Sequence, residues 1–361
     1  MKKLLAALCA VLALTTGVRA LDVAAPSALL MEKETGTVLF SKDEHAKLEP
    51  ASVTKVMTIL LTMEAIDSGQ LSYDTVVTAS AHACSMGGSQ IWLKENEQMT
   101  VGDMLKAVCV VSANDCAVAL GEQIAGSEEA FVERMNARAR ELGMNDTTFQ
   151  NATGLPAAGH VTSAHDIAIM SRELIKNHPD IRQYTTIWMD TLRNGQSQLV
   201  NTNKLIRFYE GATGLKTGST DAAGYCLSAT AERDGMELIA VIMKDPTSAQ
   251  RFEDAKALLS YGFSTYALKK IVPETPLVPV PVTLGTQATV QPVLGEGDAL
   301  LLEKAKAGDL QQTVTLAESV PAPVGIGDQL GTLTVTSGEE VPRITYGQML
   351  LRLLRLAFLS D

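Results

Sequence analysis

Glu49-Pro50-Ala51-Ser52-Val53-Thr54-Lys55-Val56-Met57-Thr58 is the stretch from which the rest of the chain can be read. Ser52 and Lys55 stand three residues apart at the start of a run, Val53 to Asp67, that is apolar almost all round and stops near Gly69, the pattern of a buried helix. Residues three apart share a helical face, so the Lys55 amine can reach the Ser52 hydroxyl. A serine hydroxyl attacks poorly unless a base removes its proton. Lysine at its ordinary pKa is only ~0.04% neutral at pH 7, so Lys55 needs burial or a neighbouring cation to serve as that base. The apolar helix offers the burial, and Ser52 at its start offers a backbone N–H to a developing oxyanion.

A lone S-x-x-K is weak, since about one is expected by chance in a chain of this size. Two further motifs follow it in order, and each of the three occurs once: Ser112-Ala113-Asn114 interrupts the apolar stretch after Val111, and Lys216-Thr217-Gly218 comes just before a strand beginning near Tyr225. Lys216 is a candidate for the cation that Lys55 needs. With five histidines and no G-x-S-x-G elbow, a Ser-His-Asp arrangement has no support. His160 and His165 lie around a helix start and read as surface or capping residues.

Outward from these motifs, ALLME (28–32) and TVLFS (37–41) flank Glu34-Thr35-Gly36-Thr37 as a hairpin, and Tyr225–Glu232 and Met236–Lys244 flank the Asp234-Gly235 turn as another. Between them the pattern is helical, with punctuated helices over Thr100–Val110, Ser127–Leu142 and Ser163–Lys176, and a further one over Ala249–Tyr261. Strands at both ends of a helical segment imply an α/β architecture of the α+β type, its mainly antiparallel sheet assembled from distant pieces and covered by helices. From about Val272 to Pro342, prolines punctuate short Val/Thr/Leu runs, which predicts a small all-β domain with helical period only near Leu300.

The ends decide the compartment. Residues 1–20 combine a basic start, a short apolar run and small residues before Leu21, which predicts a secretory signal peptide. Residues 343–361 carry Gln348, Arg352 and Arg355 on one face of an otherwise apolar helix, too short at about 1.5 Å per residue for the ~30 Å hydrocarbon core, so a helix lying in the membrane interface is expected. The catalytic region then spans 21–271. With 30 Lys plus Arg against 41 Asp plus Glu, and 4% aromatics, nothing suits the surface to nucleic acid. Cys84, Cys109, Cys116 and Cys226 form no C-x-x-C pair and have no histidine at ligand spacing, so they read as small hydrophobes and not as metal ligands.

Through EPASVTKVMT, VVSANDCAVAL, AGSEEAFVERMN, FQNATGL, GLKTGSTDAAGY and AKALLSYGF, the chain resembles the low-molecular-mass penicillin-binding proteins, serine-type D-alanyl-D-alanine carboxypeptidases of penicillin-binding/β-lactamase-like fold. The resemblance is close over Ala24–Phe263 and looser beyond. It implies that Ser52 is acylated by the penultimate D-Ala of a peptidoglycan stem peptide, with Lys55 as base and Ser112 relaying a proton to the leaving amine. It further implies that Asn114 binds the substrate amide, Lys216 and Thr217 bind the terminal carboxylate, and the N–H groups of Ser52 and Ser219 form the oxyanion hole. Arg251 matches an arginine near the carboxylate site. Penicillins would acylate the same serine, no cofactor or metal is implied, and the site would face the outer side of the cytoplasmic membrane. A D,D-endopeptidase, or a slowly deacylating sensor or structural wall-binding protein, is the alternative. A β-lactamase would need an E-x-x-L-N carboxylate, and the nearest candidate, Glu173 to Asn177, carries Lys176 where Leu belongs and reads as a solvent-facing coincidence.

Overall fold

The computed structural model describes residues 21–274, 276–294, 299–306, 310–337 and 344–346. Strands β1 (Ser27–Glu32) and β2 (Val38–Lys42) form the first hairpin, and Gly36 turns it with φ +70°. Three long strands from far downstream, β3 (Ala212–Thr220), β4 (Gly224–Arg233) and β5 (Met236–Asp245), complete a five-stranded antiparallel sheet in the order β2-β1-β5-β4-β3.

The central strands are apolar at nearly every position because both faces are covered. Leu29 and Met31 of β1 with Ile239, Val241 and Met243 of β5 join one apolar cluster, while Ala28, Leu30, Leu238, Ala240 and Ile242 join another. This is the period-two alternation of a strand, with a core on either side. The larger cluster takes in helices α1 (Lys55–Asp67), α2 (Val101–Val111), α3 (Asn114–Ala125), α4 (Glu128–Glu141) and α5 (Ala164–Asn177). The smaller is closed by α6 (Ser248–Thr265) through Phe252, Ala255, Leu258, Leu259 and Phe263. Thr100, Ser127, Ser163 and Thr247 cap α2, α4, α5 and α6, each accepting a backbone N–H three residues on.

Two elements differ from the sequence reading. The break read at Ser112-Ala113-Asn114 is present, because Ser112 adopts a left-handed conformation (φ +64°) that ends α2, but the residues after it form a second helix, α3, that the sequence reading did not include. Lys216-Thr217-Gly218 precedes the strand near Tyr225, β4, as read, but itself lies within a further strand, β3, whose apolar content is too low for alternation to reveal it.

Beyond α6, β6 (Tyr266–Lys270) pairs with β7 (Ala299–Glu303), so the β-rich region takes its first strand from before Val272, and the stretch near Leu300 is a strand and not a helix. β8 (Leu310–Leu316) pairs with β9 (Gly331–Ser337). Lys304 ties this region to α6 by donating to the Phe263 carbonyl at 2.7 Å. Ile344–Tyr346, inside the segment read as an amphipathic helix, pairs with β9 as a strand. Residues 347–361 and the expected signal peptide, 1–20, lie outside the described residues. Among the described residues no helix is long and apolar enough to cross a membrane, and no acidic, histidine or cysteine group could hold a metal ion.

Candidate active site

Ser52 sits in the 3-10 turn Ala51–Thr54 that leads into α1, and Lys55 opens the α-helical part. Lys55 is fully buried, and its Nζ donates to Ser52 Oγ at 3.0 Å and to the Thr153 carbonyl at 2.7 Å. Burial, and then the positive charge of Lys216, push its pKa well below the usual lysine value, against the opposing pull of Asp115. That shift favours the neutral amine, the form able to turn its lone pair to the Ser52 hydroxyl and take its proton.

Thr153 was not singled out in the sequence reading. Its carbonyl is aimed by a compact turn in which the Asn151 side-chain oxygen accepts the N–H groups of Thr153 and Gly154, at 3.1 and 2.7 Å. A side chain on Gly154 would meet the Ala51 carbonyl at 1.8 Å, so only glycine lets this turn approach the serine. The Asn-x-Thr-Gly string was its available signal.

Ser112 and Asn114 come from the break between α2 and α3. Both are buried, and Ser112 Oγ and Asn114 Oδ1 have no hydrogen-bond partner among the described residues. Asn114 Nδ2 donates to the Gly87 carbonyl at 2.7 Å, and its backbone N–H donates to Ser89 O at 2.7 Å. Buried polar groups are ordinarily paired. Two left open at one kink leave hydrogen-bonding capacity for a ligand.

β3 brings the third motif against the serine. Gly218 lies so close to the Ser52 turn that a Cβ would meet Pro50 O at 2.7 Å and the backbone nitrogens of Ser52 and Val53 at 2.9 Å. Lys216 is buried, donates to Thr217 O at 2.8 Å and is lowered to about 7, chiefly by burial. Thr217 Oγ1 hydrogen-bonds Thr202 Oγ1 at 2.7 Å, and the Thr202 N–H donates to Val110 O at 3.1 Å, so Thr202 links β3 to the end of α2 two residues before Ser112. Ser219 is exposed at the lip of the strand.

Arg251 is not a surface charge. It is buried on α6 and donates from Nη1 to the carbonyls of Gly218 and Cys226, at 3.0 and 3.3 Å. His160 also departs from the surface reading. It is buried, with Nδ1 accepting the Gln150 N–H at 3.1 Å and Nε2 hydrogen-bonded to Thr54 Oγ1 at 2.8 Å, and burial lowers its pKa to about 4. It buttresses the Ser52 turn as a neutral ring.

Glu173 is held by Arg138, which also binds Glu64. Among the described residues no carboxylate hydrogen-bonds Ser52 or Lys55. Asp115 is wholly buried but is occupied by the N–H groups of Ile91, Leu93 and Cys116. The four described cysteines are free thiols.

A buried lysine on a helical serine, an open Ser/Asn kink and a Lys-Thr-Gly strand in contact with the serine's backbone thus converge. A family model described as D-alanyl-D-alanine carboxypeptidase matches residues 14–247. The chain belongs to that family. A second model, the C-terminal domain of penicillin-binding protein 5, matches residues 266–344 of this carboxypeptidase. The carboxypeptidase is 42% identical over 322 residues to the D-alanyl-D-alanine carboxypeptidase DacF of Bacillus subtilis, covering 88% of this chain and 82% of that one. Its fold superposes on penicillin-binding protein 5 from Haemophilus influenzae with a TM-score of 0.79 and 27% identity, over 91% of this chain and 98% of that one. Penicillin-binding protein D2 from Listeria monocytogenes, solved in an ampicillin-bound form, matches with a TM-score of 0.62 and 33% identity, over 67% of this chain and 98% of that one. The protein is therefore a serine D-Ala-D-Ala carboxypeptidase with a C-terminal β domain.

Proposed function

We propose that the enzyme removes the terminal D-Ala of peptidoglycan stem pentapeptides through an acyl-enzyme on Ser52. Lys55 takes the hydroxyl proton as Oγ bonds to the carbonyl carbon of the penultimate D-Ala. The N–H groups of Ser52 and Ser219 receive the oxyanion. Collapse breaks the peptide C–N bond, Ser112 relays the proton held by Lys55 to the departing amine, which leaves Lys55 neutral again, and D-Ala leaves. Water then attacks the ester, displaces Ser52 and returns a proton to it through Lys55. Asn114 binds the substrate amide, and Lys216 and Thr217 bind the terminal carboxylate. Arg251 acts through the Gly218 carbonyl as a positioning residue for β3. The observation that carries this reading is the 3.0 Å contact of a buried Lys55 amine with Ser52 Oγ.

The ampicillin-bound Listeria relative supports acylation of the same serine by penicillins. We further propose export directed by residues 1–20, a catalytic unit over 21–271, a β-rich unit over 272–342 to which β6 contributes, and apposition to the outer face of the cytoplasmic membrane by the C-terminal segment. The test is release of free D-Ala from diacetyl-Lys-D-Ala-D-Ala by residues 21–361, beside Ser52→Ala and labelled penicillin. Turnover lost in the variant together with penicillin labelling is expected. Penicillin labelling without D-Ala release by the wild type would overturn the carboxypeptidase mechanism.

A further inference from the structure

A groove of about 1060 Å³ opens next to the reactive kink, bounded by Gly88 and Ser89 on one side and Val111 on the other. Its walls are the loop over residues 85–97 and the hairpin over residues 189–200, and Arg193 ties them together. Arg193 Nε and Nη2 hold the Glu97 carboxylate at 2.6 and 3.1 Å, while Nη1 donates to Ile91 O at 2.8 Å. On this loop stands Trp92, 73% exposed.

The sequence contains two tryptophans, and they are treated differently by the fold. Trp188 is covered by Phe208 edge-on at 5.9 Å and by the Arg207 guanidinium at 5.8 Å. Trp92 has no ring partner among the described residues. Its backbone is nonetheless over-determined: φ is +57°, unfavourable for a bulky side chain, and the amides before and after it, those of Ile91 and Leu93, are both held by the Asp115 carboxylate. Asp115 follows Asn114 directly in α3. A strained backbone locked by buried hydrogen bonds, presenting a bare indole to solvent, is a costly arrangement for a residue without a contact to make.

We propose that this groove is a glycan subsite in which Trp92 stacks against an amino-sugar ring of the peptidoglycan strand that bears the stem peptide. The inference rests on the carboxypeptidase reading and deepens it. With the terminal carboxylate at Lys216 and Thr217 and the next amide at Asn114, the stem must continue past the Gly87–Ser89 backbone, where the groove begins. The sugar is attached at the far end of that stem. The lining suits a polyhydroxylated ligand: the Arg193 and Glu97 charges satisfy each other, Lys94 and Glu95 add one charge of each sign, and Gln90, Asn96, Gln196 and Gln198 supply side-chain amides. The C–H face of a pyranose meets the electron-rich face of an indole, and amides pair with ring hydroxyls and the N-acetyl group.

The test compares kcat/KM for GlcNAc-MurNAc-pentapeptide with that for the same pentapeptide without sugar. Wild type should favour the disaccharide form by about tenfold, mainly through KM. Trp92→Ala should abolish that preference while leaving hydrolysis of the free pentapeptide and acylation by penicillin unchanged, and Trp92→Phe should restore most of it. In a Trp188→Phe background, the saccharide-bearing substrate should shift the Trp92 emission and the free peptide should not. Equal kcat/KM for the two substrates in wild type, or an equal loss on both in Trp92→Ala, would overturn the subsite. Failure of wild type to release D-Ala from either substrate would instead overturn the carboxypeptidase reading on which it rests.

Discussion

Arg251 Nη1 donates to the carbonyl of Gly218 at 3.0 Å, so the last residue of the β3 motif is held from α6 on one side while its missing side chain lets it lie against the Ser52 turn on the other. The same guanidinium nitrogen reaches Cys226 O on β4 at 3.3 Å, which fastens two neighbouring strands where the serine is met. The relation between nucleophile and carboxylate-binding strand is thus set by backbone contacts.

Gly218→Ala should therefore damage the enzyme by geometry alone. The added Cβ would fall 2.7 Å from Pro50 O and 2.9 Å from the Ser52 and Val53 nitrogens, all backbone atoms that cannot swing aside. Separation of β3 from the serine should cost about 1–3 kcal/mol in urea unfolding and at least about tenfold in penicillin acylation. Wild-type acylation in the variant would show that the close approach is dispensable.

Lys55→Ala removes the base but leaves the surrounding apolar packing. Acylation of Ser52 should fall about a hundred- to ten-thousandfold, with the far-ultraviolet circular dichroism of the wild type retained. An unchanged rate of labelling by fluorescent penicillin would remove Lys55 from that role.

The two lysines should shape the pH profile. Burial and Lys216 push Lys55 well below the usual lysine value, which favours its free base, and its protonation should produce the acid limb of kcat/KM. In the proposed mechanism Lys216 binds carboxylate as a cation, and because burial lowers it to about 7, carboxylate binding should weaken as pH rises through that value. Binding of an unreactive D-Ala-terminated peptide measured from pH 6 to 9 checks the basic limb, which Lys216→Arg should move upward.

Asp245 gives a stability prediction of definite sign. Burial, and then Asp254, raise its pKa from 3.8 to about 7, and neither carboxylate oxygen has a partner among the described residues. Below pH 3.8 both folded and unfolded states carry the proton. Between there and about 7 the unfolded chain loses it first, so stability is lost as pH rises. Asp245→Asn should therefore match the wild type near pH 3.5 and be more stable by about 2–4 kcal/mol at pH 8, measured by denaturant midpoints.

Deleting residues 347–361 should release an active enzyme from the membrane fraction, because Gln348, Arg352 and Arg355 supply the polar face of the proposed interfacial segment. Cutting after Tyr346 preserves the strand Ile344–Tyr346 on β9. Continued sedimentation with membranes after signal removal would count against the anchor.

Local chemistry made much of this protein legible before its tertiary structure. The Ser52/Lys55 spacing, the two hairpins and the capped helices depend on neighbours a few residues away, where the three- and two-residue periods and turn residues carry the information. β3 escaped because its residues are Gly, Lys, Thr and Ser, chosen for what the strand presents to a ligand and to the serine. The break at Ser112 was legible from its motif, but α3 beyond it escaped because its start, at Ala113, carries no side-chain cap.

The sequence by itself pointed to Ser52 as nucleophile and Lys55 as its base, and carried the order of the three motifs and a helix-covered antiparallel sheet. Only the tertiary structure decided that His160 is a buried brace, that Arg251 anchors Gly218, that Thr153 and Asp115 hold the two walls of the site, and that Trp92 is left bare beside it. Those roles are created by pairs up to 106 residues apart, as in the Thr54–His160 contact, and burial shifts a lysine's pKa only once distant segments have excluded water from it.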